Sequence, residues 1–180
     1  MVPTVAIVAI ALTLGVVGFF FSRSDSGRGL LEARQEPVAV PKATPLAFDP
    51  PPGSGLEHDD ELPFLVDGDP SSVWTTETYN TNRFGGLKPG VGVILRLDRA
   101  YKLSELKVTS PTSGWSAEVL VAGSPQTTRA AWGEPVESKR INRGTTTFDL
   151  GGRTGAAVLL WITDLGQGNS SVSIGELSLR

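Results

Sequence analysis

The chain contains no cysteine, which removes thiol catalysis, thiolate zinc sites and disulfide stapling. That absence leaves the compartment open, because exported domains can do without disulfides. It has no block of lysine or arginine either. With 16 basic and 19 acidic residues and a net charge of −3, no linear segment stands ready to neutralise a row of phosphates, which argues against nucleic acid as a partner. The single histidine, His58, sits inside the acidic run Glu57-His58-Asp59-Asp60-Glu61, without a G-x-S-x-G nucleophile elbow. That run reads as a solvated lead into the domain. Paired carboxylates for glycoside hydrolysis have no spacing to single them out among the 19 acids, so no enzyme is expected. No window carries a 3.6-residue apolar stripe of helical length, and no internal repeat is found.

What is present begins with an uncharged run of twenty residues, Val2 to Phe21 (VPTVAIVAIALTLGVVGFFF). As a helix it would span roughly 30 Å of hydrocarbon. Nothing basic precedes it and SRSDSG follows it, so residues 1–21 read as an uncleaved transmembrane anchor in preference to a cleaved signal peptide. Arg23, Arg28 and Arg34 all lie on its C-terminal side, which by the positive-inside rule alone would leave the rest of the chain in the cytoplasm. Residues 22–47 are rich in Pro, Ser and Gly and read as a disordered tether, running on into Asp49-Pro50-Pro51-Pro52.

From residue 48 to residue 180 the pattern changes to period two. Apolar or β-branched runs occur at Val91–Leu97, Leu103–Ser110, Ala117–Ala122, Thr145–Leu150, Ala157–Thr163 and Val172–Leu179, each bounded by turn-forming residues. With 21 glycines and 13 prolines, 180 residues and 39% hydrophobic composition, this predicts one all-β domain, a sandwich or jelly roll.

The stretch Leu65–Trp74, LVDGDPSSVW, concentrates oxygen ligands. Asp67, Asp69, Ser71 and Ser72 surround a glycine and a proline, a composition that suits a hard cation such as calcium. It is not an EF-hand, because Ser72 stands at position six and Thr78 at position twelve. The alternative is a Pro-containing turn in which the aspartates accept backbone N–H bonds.

The run LVDGDPSSVWTT, followed by LSELKVTS, AEVLVAGS, AVLLWIT and a closing SIGELSL, resembles the discoidin or coagulation-factor type C family of galactose-binding-like domains, over residues 48–180. The resemblance implies an eight-stranded antiparallel jelly roll with a structural calcium. Asp67 and Asp69 would supply loop oxygens, Ser72 would take the place of a common Thr ligand, and Glu176 would reach in from the last strand. Trp74 would be a core residue beneath the loop. More narrowly, AFDPPPGSGLEHDDELPFLVDGDPSSVWTTETYN and GGLKPGVGVILRL, behind an apolar run and a proline-rich tether, resemble the C-terminal tail of actinobacterial MviN-type lipid II flippases. This implies a single-pass protein of the cell membrane whose C-terminal domain is extracytoplasmic, against the local charge count.

Domains of this kind bind glycans, lipid head groups or proteins through loops at one end. Candidates here are Tyr79, Arg83 and Phe84 in TETYNTNRFGG, Trp115 in TSGW and Trp132 in RAAWGEP, each with the alternative of packing beneath its loop. Two readings follow: a module recognising cell-wall glycan or a peptidoglycan precursor, and a structural domain docking on a membrane-protein partner. An exposed aromatic in a concave polar face would mark the first, a flatter apolar patch the second.

Overall fold

The computed structural model describes residues 42–180; the expected anchor, and the expected tether up to residue 41, lie outside them. Among the described residues no helix is long and apolar enough to cross a membrane.

The described residues form eight strands: β1 (Ala43–Phe48), β2 (Trp74–Thr75), β3 (Val91–Ser110), β4 (Trp115–Ala122), β5 (Glu137–Ile141), β6 (Gly144–Asp164), β7 (Ser173–Ile174) and β8 (Glu176–Leu179). All pair antiparallel, in the order β1-β3-β6-β4-β5, with β8 also on β3 and a separate β2-β7 pair. The runs expected as separate strands fuse in pairs, because β3 and β6 continue through bends, with register shifts between Arg96 and Tyr101 and between Leu103 and Glu105. Bulges of this kind turn a ladder over, so one pair of strands serves both layers. The first half of β3 pairs with β1, the second with β8.

One layer turns Val93, Leu95, Val119, Val158, Leu160 and Ile162 inward; the other contributes Leu106, Val108, Phe148, Leu150 and Leu177, and all join one core. Trp74 is fully buried in it, as expected, and its indole N–H donates to the Glu57 carbonyl at 2.6 Å. The outer face of the β4-β6 layer carries a second cluster of Phe48, Ile94, Leu120, Leu159 and Trp161, covered by Trp132 from the 3-10 helix Arg129–Trp132.

The domain begins earlier than the sequence suggested. ATPLAF pairs with β3 from Ala43↔Leu97 to Phe48↔Gly92, so residues 43–47 belong to the sandwich, not to the tether. Pro45 is tolerated because β1 is an edge strand. The register gathers at one end the segments after Phe48, before Val91, after Ser110, after Ile141 and after Asp164. The bends of β3 and β6 lie at the other.

Candidate functional site

The acidic loop forms where Gly175 lets β8 pass close to it: a Cβ at Gly175 would sit 2.3 Å from the Pro70 carbonyl oxygen. Asp67 Oδ1 accepts from the Asp69 N–H at 2.8 Å, and Asp67 Oδ2 accepts from the Ser72 hydroxyl at 2.7 Å. Asp69 Oδ1 takes the Ser71 N–H and hydroxyl, at 2.9 and 2.6 Å. Glu176 reaches across from β8, and its Oε2 accepts from the Gly68 N–H at 3.0 Å. The four residues named for a cation are therefore neighbours, although 109 positions separate Asp67 from Glu176 in the sequence.

The Ser71 hydroxyl, then its N–H, hold the exposed Asp69 carboxyl below its usual range. Burial raises Glu176; the Gly68 N–H opposes that rise and the charge of Asp67 adds to it. Among the described residues, no lysine or arginine pairs with Asp67, Asp69 or Glu176. No three acidic or imidazole side chains converge there as a ready metal cluster. The donor set fits a hard cation only if the Ser72 hydroxyl and backbone carbonyls complete it, which is ordinary for calcium. The turn reading accounts for the same hydrogen bonds without an ion.

Beneath the loop end lies a charged cluster. Lys88 Nζ is 2.6 Å from Asp49 Oδ1 and 2.9 Å from Glu57 Oε1, with both carboxylates fully buried and Lys88 nearly so. The Tyr79 hydroxyl donates to Glu57 Oε1, and the Glu77 N–H donates to Glu57 Oε2 at 2.7 Å. The Lys88 ammonium also sits 5.0 Å from the Tyr79 ring centroid. Burial first, then the Glu57 carboxylate, push the Tyr79 phenol far above its usual value, so it serves as a fixed donor. The acidic run is thus only partly a solvated lead: Glu57 is an internal anchor, and His58 Nδ1 lies 2.7 Å from the Thr75 carbonyl. That contact, opposed by desolvation and aided by Glu77, raises the imidazole.

The aromatic candidates pack instead of presenting faces to solvent. Tyr79 lies edge-on to Phe84 at 5.2 Å, Trp115 is fully buried with its N–H 3.3 Å from the Ser110 hydroxyl, and Trp132 stacks edge-on to Phe48 at 6.1 Å. Burying large rings beneath loops outweighs leaving them exposed, by roughly 1.5–3 kcal/mol for a side chain of this kind. Arg83 alone of the five ligand candidates is exposed, its Nε 3.1 Å from Asp164 Oδ2.

Beside Arg83 is a feature absent from the sequence reading, a polar cleft of about 320 Å³ between Tyr79–Asn82 and Gln167–Ser170. Its walls are tied by Asn82 Nδ2 to Asp164 Oδ1 at 2.9 Å, Leu165 N to Asn82 O at 2.9 Å and Tyr79 N to Ser170 O at 2.8 Å. Asn169 bonds the Leu165 and Ser113 carbonyls. Asn80 and Gln167 make no side-chain hydrogen bond within the described residues and keep both amide functions free. The only signal in the sequence was two Asn/Gln-rich turns, TYNTN and GQGN, 84 residues apart at Asn82 and Gly166.

No family model matches the chain. Its fold is similar to the galactose-binding-like fold of family 32 carbohydrate-binding modules. The module of AlyQ, solved with 4,5-unsaturated mannuronic acid, superposes with a TM-score of 0.56 at 14% identity, covering 78% of this chain and 97% of that one. The family 32 module of NanJ from Clostridium perfringens, solved with galactose, gives 0.52 at 15% identity, covering 76% and 92%. A chitosan-binding module of a Paenibacillus chitosanase/glucanase, solved with chitotriose, gives 0.53 at 13%, covering 77% and 95%.

Proposed function

We propose that the domain is a glycan-binding module without catalytic activity, seating its ligand in the cleft between residues 79–82 and 167–170. The observation that carries this is the unpaired amides of Asn80 and Gln167 facing a rigid polar cleft beside the exposed Arg83. Amides and a guanidinium match the paired donors and acceptors of sugar hydroxyls. The similar structures were solved with galactose, chitotriose and 4,5-unsaturated mannuronic acid, which supports the ligand class. With no exposed aromatic among the candidates, polar contacts carry recognition and affinity is modest.

The fuller reading places this module outside the cell, tethered by residues 2–21, against cell-wall glycan or a peptidoglycan precursor. The connection to lipid II export rests on the sequence resemblance alone. Calcium in the Asp67–Ser72 loop, with Glu176, would be a structural support: its two positive charges would offset most of the charge of three carboxylates and tie β8 to the loop. A second reading, docking on a membrane-protein partner, is favoured by Leu56 and Leu87, which are 61% and 72% exposed on loops beside the Lys88 cluster.

Sedimentation with purified peptidoglycan separates the two. Glycan binding predicts retention of the wild type and a loss of roughly tenfold in Asn80→Ala, Gln167→Ala, with little effect from Leu56→Ser, Leu87→Ser. No retention at high protein concentration overturns the glycan reading.

A further inference from the structure

Five basic residues that the sequence scatters, Lys42, Arg96, Arg99, Lys102 and Arg153, come together around the bends of β3 and β6, at the end away from the cleft. All five are exposed, and none forms an ion pair among the described residues. Lys42, Thr44, Arg96 and Asp98 line one cleft of about 440 Å³. The Arg99 guanidinium lies 5.0 Å from the Tyr101 ring centroid. Across the bend, Tyr101 faces Gly155, Lys102 faces Thr154 and Leu103 faces Arg153, so β6 brings its arginine beside the bases of β3. One carboxylate at this corner, Asp98, accepts from the Tyr101 hydroxyl at 2.9 Å, and just beyond the bend Asp149, facing Glu105, accepts from the Gly151 N–H, so both are engaged within the corner. In a chain of net charge −3, this is a segregated positive surface. Among the described residues the exposed large apolar side chains, Leu56, Phe64 and Leu87, belong to other segments, so a partner here would be held by charge without insertion.

We infer that this corner docks on an acidic lipid surface and so turns the cleft end away from the membrane. Charge complementarity supplies the attraction, on the order of fivefold in partitioning for each base near an anionic bilayer. Chain connectivity selects a bilayer over a soluble polyanion: Lys42, at the corner, follows the apolar run 2–21 after only residues 22–41. The inference rests on the membrane-tethered reading above.

The full-length protein, reconstituted in vesicles, tests it. The cysteine-free sequence allows single fluorescent labels at Thr154→Cys, in the corner, and at Arg143→Cys, in the turn at the cleft end. Vesicles of phosphatidylcholine alone, or with about one part in four of phosphatidylglycerol, carry a head-group quencher. Flotation with the neutral vesicles reports the tether by itself, so a failed tether is distinguishable from a failed corner. The expected result is about twofold or more greater quenching at residue 154 in acidic than in neutral vesicles, with no matching rise at residue 143. The difference should vanish in about 0.5 M salt, where charges are screened over a few Å. It should also vanish in Arg96→Gln, Arg99→Gln, Lys102→Gln, Arg153→Gln, whose exposed sites leave the core intact. Equal quenching in both vesicles, or a difference that survives in the fourfold variant, overturns the inference. So does tight capture of soluble polyphosphate through the same bases without a response to acidic lipid.

Discussion

Lys88 balances the charges beneath the cleft end, holding two fully buried carboxylates from segments 39 and 31 residues away. Removing one partner of such a group leaves uncompensated charge in a poorly solvated place, at a cost of about 3–5 kcal/mol. Lys88→Met should therefore lower the thermal midpoint by roughly 10 °C. Adding Asp49→Asn should recover part of that loss, a non-additivity that a double-mutant cycle measures directly. Glu176 behaves in the opposite sense. Its folded value is raised, so the stability it confers is present below its unfolded value and lost as pH rises through the folded one; at neutral pH its ionised form is a burden unless a cation offsets it. Glu176→Gln should leave the midpoint in chelator unchanged or slightly higher and abolish a calcium-dependent rise in the wild type. A calcium response that persists in the variant would remove Glu176 from the proposed site. At this scale the sequence grouped Asp67, Asp69 and Ser72 because they form one local motif, while Glu176, distant in the chain, was set beside them only by the resemblance; the structure shows the four as neighbours. The sequence was silent about Lys88, whose partners are set by topology.

Among the elements, β1 departs most from expectation, since proline at position 45 and the preceding Pro-rich composition make ATPLAF read as tether. Its pairing covers the edge of β3 from Gly92 to Leu97, and it packs against the 3-10 helix Asp59–Val66. A chain of residues 48–180 should unfold at a markedly lower temperature than one of residues 39–180, or fail to fold, as followed by far-ultraviolet circular dichroism. Equal stability would show β1 to be dispensable. β5, Glu-Ser-Lys-Arg-Ile, escaped notice because four of its five residues are polar; it is an edge strand with only Ile141 fully buried. Central strands were legible because at least one face is apolar throughout: both faces at Val91–Leu95 and Ala157–Ile162, one face at Leu103–Ser110. Edge strands, half solvated, lack that signature.

For the molecule as a whole, alternation and turn spacing were sufficient to predict an all-β sandwich, and the structure adds how two bent strands serve both layers. Ligand chemistry was less legible. Rings that might have stacked on sugar are spent on the core, and the free amides of Asn80 and Gln167 carry no pattern of their own. The same bends that close the sandwich also collect five of the bases that form no ion pair among the described residues, so charge asymmetry here is a product of folding.

The second half of β6, Ala157–Ile162, is buried on both faces between β3 and β4. Released from those neighbours, AVLLWI is an uncharged, strand-prone six-residue segment of the kind that stacks on copies of itself. Until β3 and β4 close over it, a newly made chain carries its own aggregation seed. Escape from self-association then depends on how quickly distant segments find one another, and dilution or a holding chaperone should raise the yield of folded protein.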